Sequence, residues 1–213
     1  MKKTLTIAGS DTTGGAGLQA DLKTFQEYGT FGMTAITSIV TMDIDNNWSH
    51  DIDTIEPDLV KKQLNTIFSA GNPSALKTGM LGDIRTISVV KEVLTQHQPK
   101  NIVIDPVLAC KGTAGILLSE NAETIQTQLL PLADITTPNL IEAGILSGLG
   151  ELKTMSDIEK AAVIIHGFGA KHVVIKGGRR FDDQEAIDVF YDGQTFQYLK
   201  SPIIHTNNNH GAG

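Results

Sequence analysis

The sequence predicts an α/β fold: a mainly parallel central sheet flanked by helices, with an antiparallel hairpin at one edge. Three observations carry this reading. Short apolar runs alternate with amphipathic segments, the pattern of a parallel sheet with crossover helices. Late in the chain the rhythm changes, and two strand-like runs flank the turn pair Asp192-Gly193. No internal repeat, low-complexity tract or linker interrupts the 213 residues, so one domain over 1–213 is expected.

The elements follow in order. TLTIAG reads as a buried strand. GLQADLKTFQEYG follows as a helix, with Leu18, Leu22 and Phe25 at helical spacing and Gly29 as the stop. MTAITSIVTM is a second strand, and EPDLVKKQLNTIFSA a helix with Pro57 near its first turn. ALKTGML is a short strand and loop, DIRTISVVKEVLTQHQ a helix, and NIVID a buried strand. NAETIQTQLLPLA reads as a helix over 121–133, and DITT as a short strand. PNLIEAGILSGLG is a helix opened by Pro138, MSDIEKAAVIIHGFGA another, and KHVVIKGG the strand after it. AIDVFYDGQTFQYLKS supplies the closing hairpin.

Composition narrows the function. The formal net charge is -7, so a general attraction to nucleic acid or an anionic membrane is not expected. Phosphate binding would have to come from local backbone amides and a few basic side chains. Cys110 is the single cysteine, which excludes an internal disulfide and fits the reducing cytoplasm. The opening MKKTLTIAGSD has too short an apolar run for a signal peptide. No stretch approaches the roughly 18 apolar residues that span a bilayer.

Ligands of open parallel sheets bind beyond the carboxyl ends of the strands. At those ends the sequence places Gly9-Ser10-Asp11 with the loop Gly14-Gly15-Ala16-Gly17, then Asp105-Pro106, then Thr137-Pro138-Asn139 with Glu142, then Lys176-Gly177-Gly178. Two acids, an amide, a lysine and glycine-rich turns thus converge on one edge. Each has a plainer reading beside the functional one. Asp105 could cap a loop before proline, Asn139 and Glu142 could serve only the first turn of a helix, and Lys176 could be a solvated strand end. Neither G-x-G-x-x-G after the first strand nor G-x-x-x-x-G-K-[ST] occurs, which disfavours a dinucleotide enzyme or a P-loop NTPase.

The motifs LTIAGSDTTGGAGLQADLKTF, ALKTGMLGD, VIDPVLACKG, TPNLIEAGILSG, VVIKGG and HGAG run in order through the chain. Together they resemble the ribokinase-like superfamily, in the branch that phosphorylates hydroxymethylpyrimidine and vitamin B6. The resemblance implies ATP and Mg²⁺ as cofactors. Asp105 and Glu142, the latter in an N-x-x-E element, would hold Mg²⁺ on the nucleotide phosphates. Asn139, Lys176 and Gly177 would meet ATP. Gly211, Ala212 and Gly213 would begin an anion hole for the transferred phosphoryl group. In the family the residue directly after G-A-G is the catalytic base, an Asp or often a Cys. This sequence stops at Gly213, so little or no kinase activity is expected of the 213-residue form.

By the same resemblance a flat hydroxymethyl-bearing ring would lie among Gly9, Asp21, Met80 and Val107, with His50 in a flap over it. In the pyrimidine kinases the second strand ends with Gln or Glu, then Asn; here it ends Met42-Asp43. A thioether is only a weak acceptor, so it cannot serve the pyrimidine amino group, and the preference moves to pyridoxal, pyridoxine and pyridoxamine. Cys110, in a glycine-flanked loop resembling the family lid, could add reversibly to the pyridoxal aldehyde, with Lys111 favouring the thiolate. Two alternatives stay open: a hydroxymethylpyrimidine or phosphomethylpyrimidine kinase, and a non-catalytic B6-binding protein. A homodimer is expected by resemblance alone.

Overall fold

The computed structural model describes residues 1–46, 49–108, 115–178 and 184–204, with backbone alone for 115–119. The first strand, β1 (Lys3–Asp11), is buried along almost its whole length, as a central strand covered on both faces must be. Helix α1 (Gly17–Glu27) crosses to β2 (Phe31–Asp43), which lies parallel to β1. Next come β3 (Ser49–Thr54), α2 (Pro57–Ser69), β4 (Ala75–Thr78), α3 (Ile84–His97) and β5 (Ile102–Ile104). Helix α4 (Gly115–Gln128), β6 (Ile135–Thr136), α5 (Leu140–Ser147), α6 (Met155–Gly167) and β7 (His172–Ile175) follow, and β8 (Glu185–Tyr191) with β9 (Phe196–Pro202) completes the described part.

These strands form one sheet in the order β3-β2-β1-β4-β5-β6-β7-β8-β9. The run from β2 to β7 is parallel, while β3, β8 and β9 pair antiparallel at the two ends. The mainly parallel sheet and its late hairpin are as the sequence predicts. The strand β3 is an addition. Its sequence SHDIDT is polar, and at the sheet edge it is half exposed and half partly buried, so it carries no apolar run by which to recognise it. Its register with Ser38–Asp43 of β2 sets Met42 opposite His50.

Local chemistry sets the helix ends. Pro57 opens α2, whose Val60, Leu64 and Phe68 are buried four residues apart on one face. Asp83 caps α3 by accepting from the Thr86 amide at 2.9 Å. Asn139 and Thr154 each form reciprocal capping boxes, with Glu142 and Asp157 respectively. The segment expected as a helix over 121–133 instead begins at Gly115, ends at Gln128 and continues as a 3-10 turn, Leu130–Leu132. Pro131 lacks the amide proton that an α-helix needs there. Between sheet and helices Leu5, Ile7, Ala35, Leu64, Ile104 and Val173 are fully buried. No helix among the described residues is long and apolar enough to cross a membrane.

Candidate active site

The parallel order brings the carboxyl ends of β1, β4, β5, β6 and β7 to one edge. There the β1–α1 loop is folded around Asp11, which is 4% exposed. Its carboxylate accepts from the Thr13 amide at 2.9 Å, the Ala16 amide at 2.8 Å and the Thr13 hydroxyl. Gln19 accepts from the Asp11 amide at 3.0 Å and donates to Ser10 at 2.8 Å. Gly17 has φ +59°, and a Cβ there would collide with the Gly9 carbonyl oxygen. Only glycine allows the loop to turn this closely into α1.

Beneath the loop lies a cavity of about 270 Å³. Gly9, Asp21, Met42, His50, Met80 and Val107 all line it. These are the six described residues that the sequence assigns to a ring site. A Cβ on Gly9 would lie 2.6 Å from Ser38 Oγ and 2.8 Å from Met80 Cε, so the absent side chain keeps this wall open. Thr37 fixes the Met80 backbone by donating to its carbonyl at 2.5 Å. His50 enters from β3, the strand not foreseen in the sequence, across from Met42. Most of the wall is apolar, and Asp21 is its ionic end, accepting from Thr6 Oγ1 at 2.6 Å.

Asp105 also lines the cavity and belongs equally to a second, ionic region. Lys176 Nζ lies 3.3 Å from Asp105 Oδ1, and Thr137 Oγ1 donates to the same oxygen at 3.3 Å. Asn139 and Lys176 are joined by a parallel bridge, with the Lys176 amide donating to Pro138 O at 2.9 Å. The Asn139 side chain accepts from the Ile141 and Glu142 amides, and Glu142 accepts from the Asn139 amide at 2.8 Å. Asn139 and Glu142 therefore serve the helix start that the plainer reading assigned them, and they do so at the rim. Gly177 is tied to β8 because its amide donates to Asp188 Oδ1 at 3.0 Å.

Glu142 is 6% exposed. Burial pushes its carboxyl up to about 7; the Asn139 amide opposes the shift, the Asp105 charge adds to it and Lys176 opposes it again. No group of three His, Cys, Asp or Glu side chains among the described residues could hold a metal ion. A pair of carboxylates still fits Mg²⁺, which is usually held by one or two carboxylates together with substrate phosphates and water. Asp105 and Glu142 have that chemistry, and burial makes the ionised form of Glu142 costly.

Cys110, Lys111, Gly211, Ala212 and Gly213 lie outside the described residues. The sequence places Asp11 at this edge without assigning it a role, and Lys77 is not singled out there. Asp11 organises the glycine-rich loop. Lys77, on β4, points its ammonium at both Asp21 (3.3 Å) and Asp105 (3.5 Å). The available signal was a lysine inside the short strand ALKT, where an apolar residue would otherwise be expected.

A cavity and an ionic rim meeting at the carboxyl edge of this sheet define a ribokinase-like protein. The sequence pattern described as phosphomethylpyrimidine kinase matches residues 11–213. Pyridoxine kinase of Bacillus subtilis (strain 168) is 50% identical over 213 residues, covering 100% of this chain and 79% of that protein. The solved pyridoxal kinase from Staphylococcus aureus in complex with AMP-PCP and pyridoxal superimposes with a TM-score of 0.91 at 50% identity, over 100% of this chain and 76% of that one. A hydroxymethylpyrimidine/phosphomethylpyrimidine kinase of Bacillus subtilis (strain 168) is more distant, 37% identical over 99% of this chain and 77% of that protein. The chain belongs to the phosphomethylpyrimidine kinase family.

Proposed function

We propose that this chain is the kinase domain, over residues 1–213, of an enzyme that transfers the γ-phosphoryl group of ATP to the 5′-hydroxymethyl group of pyridoxal, pyridoxine or pyridoxamine. The observation that carries this reading is the junction at Asp105, where a mostly apolar cavity for a flat ring opens onto the rim of Lys176, Asn139, Glu142 and Gly177. The identity to pyridoxine kinases, higher than that to the pyrimidine kinase, supports the substrate choice. So does Met42 in the cavity wall, where a pyrimidine amino group would need a stronger acceptor.

In this reading the ring lies among Gly9, Asp21, Met42, His50, Met80 and Val107, its hydroxymethyl group toward Asp105. Asn139, Lys176 and Gly177 take the nucleotide. Mg²⁺ held by Asp105 and Glu142 would neutralise charge on the phosphates. A bond forms from the hydroxymethyl oxygen to the γ-phosphorus as the bond to the β,γ-bridging oxygen breaks, and ADP leaves with that electron pair. The hydroxyl proton passes to a general base, which in the family directly follows the G-A-G turn. The anion hole begins with Gly211, Ala212 and Gly213. Positioning and charge stabilisation carry most of the rate in such transfers. A cytoplasmic homodimer is the expected setting.

Cys110 is proposed to add its thiol to the pyridoxal aldehyde, forming a carbon–sulfur bond as the carbonyl oxygen takes up the thiol proton. Titration with pyridoxal, pyridoxine and hydroxymethylpyrimidine tests the whole reading. Both vitamers should bind at least about tenfold tighter than the pyrimidine, and the pyridoxal absorbance change should vanish in Cys110→Ala. A preference for the pyrimidine overturns the assignment, and an unchanged absorbance response in the variant overturns the adduct.

A further inference from the structure

Lys77 is the residue of this site whose role nothing above explains. It precedes Thr78 at the carboxyl end of β4, between β1 and β5, in register with Thr6 and Val103. Its neighbours therefore deliver the two halves of the site: Asp21 is held by Thr6 of β1, and Asp105 follows β5. Lys77 Nζ bridges them, at 3.3 Å from Asp21 Oδ1 and 3.5 Å from Asp105 Oδ2, while the other Asp105 oxygen faces Lys176 at 3.3 Å. Charges alternate along the line Asp21, Lys77, Asp105, Lys176, from the ring cavity to the rim.

Two features make this more than a structural ion pair. The contacts are long, since a tight ammonium–carboxylate pair sits nearer 2.7–2.9 Å. An ammonium carries three donors; that of Lys77 donates to Asp21 Oδ2 at 3.4 Å and meets Asp105 as an ion pair. The side chain is 27% exposed and lines the cavity. Gly79, two residues on, packs against Ala8 of β1, where a Cβ would lie 2.9 Å from Ala8 Cβ. A cation at this point faces the place where the proposed reaction moves a phosphoryl group from rim to cavity.

We propose that Lys77 is a catalytic residue of this site, whose ammonium contacts a non-bridging oxygen of the phosphoryl group during transfer and remains on the phosphate monoester formed. The inference rests on the kinase reading above. The bonds made and broken are those of the transfer already given. Lys77 neither gains nor loses a proton, and it supplies positive charge where the γ-phosphoryl oxygens approach the two aspartates. Lacking this cation, the dianionic ester would face Asp21 with its charge unmatched and Asp105 with Lys176 alone to offset it.

Calorimetric titration of the 213-residue protein with pyridoxine and with pyridoxine 5′-phosphate tests the inference without requiring turnover. The 5′-phosphate of the alcohol is used because it carries no aldehyde to react with lysines. In Lys77→Met, affinity for the phosphate ester should fall at least about tenfold while affinity for pyridoxine stays within about twofold. Lys77→Arg should recover most of the loss. Lys77→Gln, which keeps a polar head, serves as the neutral variant should the methionine form fail to fold. Equal weakening of both ligands reduces Lys77 to a support for Asp21 and overturns the proposal, as does an unchanged ester affinity. Failure of the unsubstituted protein to bind either ligand overturns the kinase reading itself, and the inference with it.

Discussion

The buried carboxyl of Glu142 gives this molecule a pH-dependent stability. Glu142 is held at about 7 against a reference of 4.5, chiefly because burial disfavours its charged form. The unfolded chain therefore gives up this proton at lower pH than the folded one. Its contribution to stability is complete below pH 4.5 and is lost as pH rises from 4.5 through 7, by an amount on the order of 3 kcal/mol. Urea unfolding of the protein and of Glu142→Gln between pH 4.5 and 7.5 should diverge along that window, with the variant lacking the fall. Parallel curves would show that Glu142 is not the titrating group. Glutamine can still accept from the Asn139 amide, so the capping contact itself survives the change.

At the scale of elements, two effects oppose one another in α5. Glycine inside a helix costs roughly 0.5–1 kcal/mol relative to alanine, so Gly144→Ala would stabilise the protein if propensity alone decided. A Cβ at Gly144 would, however, run into the backbone carbonyl of Gly150, which follows in the turn after α5. The Gly150 amide also donates to the Gly144 carbonyl at 3.1 Å, so the turn cannot move away freely. Overpacking of this kind costs about 1–3 kcal/mol, and the steric effect wins. Gly144→Ala should lower the thermal midpoint by several degrees, and a rise would mean that the turn relaxes without cost. Because α5 begins with Asn139 and Glu142, the same substitution should also disturb the rim.

Across the whole molecule, the cavity proposed for the ring and the rim proposed for the nucleotide share Asp105. Two ligands meeting at one charged residue cannot bind independently, and whatever one does to the affinity of the other is returned in equal measure. Mg²⁺ with ADP should therefore tighten pyridoxine by about fivefold or more, a coupling typical of linked sites. Either ligand at a hundred times its dissociation constant should raise the unfolding free energy by about 2.7 kcal/mol. The measurement is the pyridoxine affinity with and without the nucleotide. Identical values would show that the two regions do not communicate through Asp105.

The apolar runs of β1, β4, β5 and β7 and the turn chemistry at Pro57, Asn139 and Asp192-Gly193 were readable directly, because burial on both faces and helix or hairpin ends impose local residue choices. From these followed the parallel sheet, and from it the edge where Asp105, Asn139, Glu142 and Lys176 assemble. Of three features not read from the sequence, two depended on contacts remote in it and one, the end of α4, on a local proline. The polar edge strand β3 is defined by its pairing with β2, not by its own composition. The helix α4 yields to a 3-10 turn where Pro131 withholds an amide. Lys77 acquires meaning only because α1 brings Asp21, and β5 brings Asp105, to the same ammonium. Periodicity and end signals are properties of a segment, whereas an ionic cluster of residues 21, 77 and 105 exists only once β4 lies beside β1 and β5 and α1 packs on the sheet.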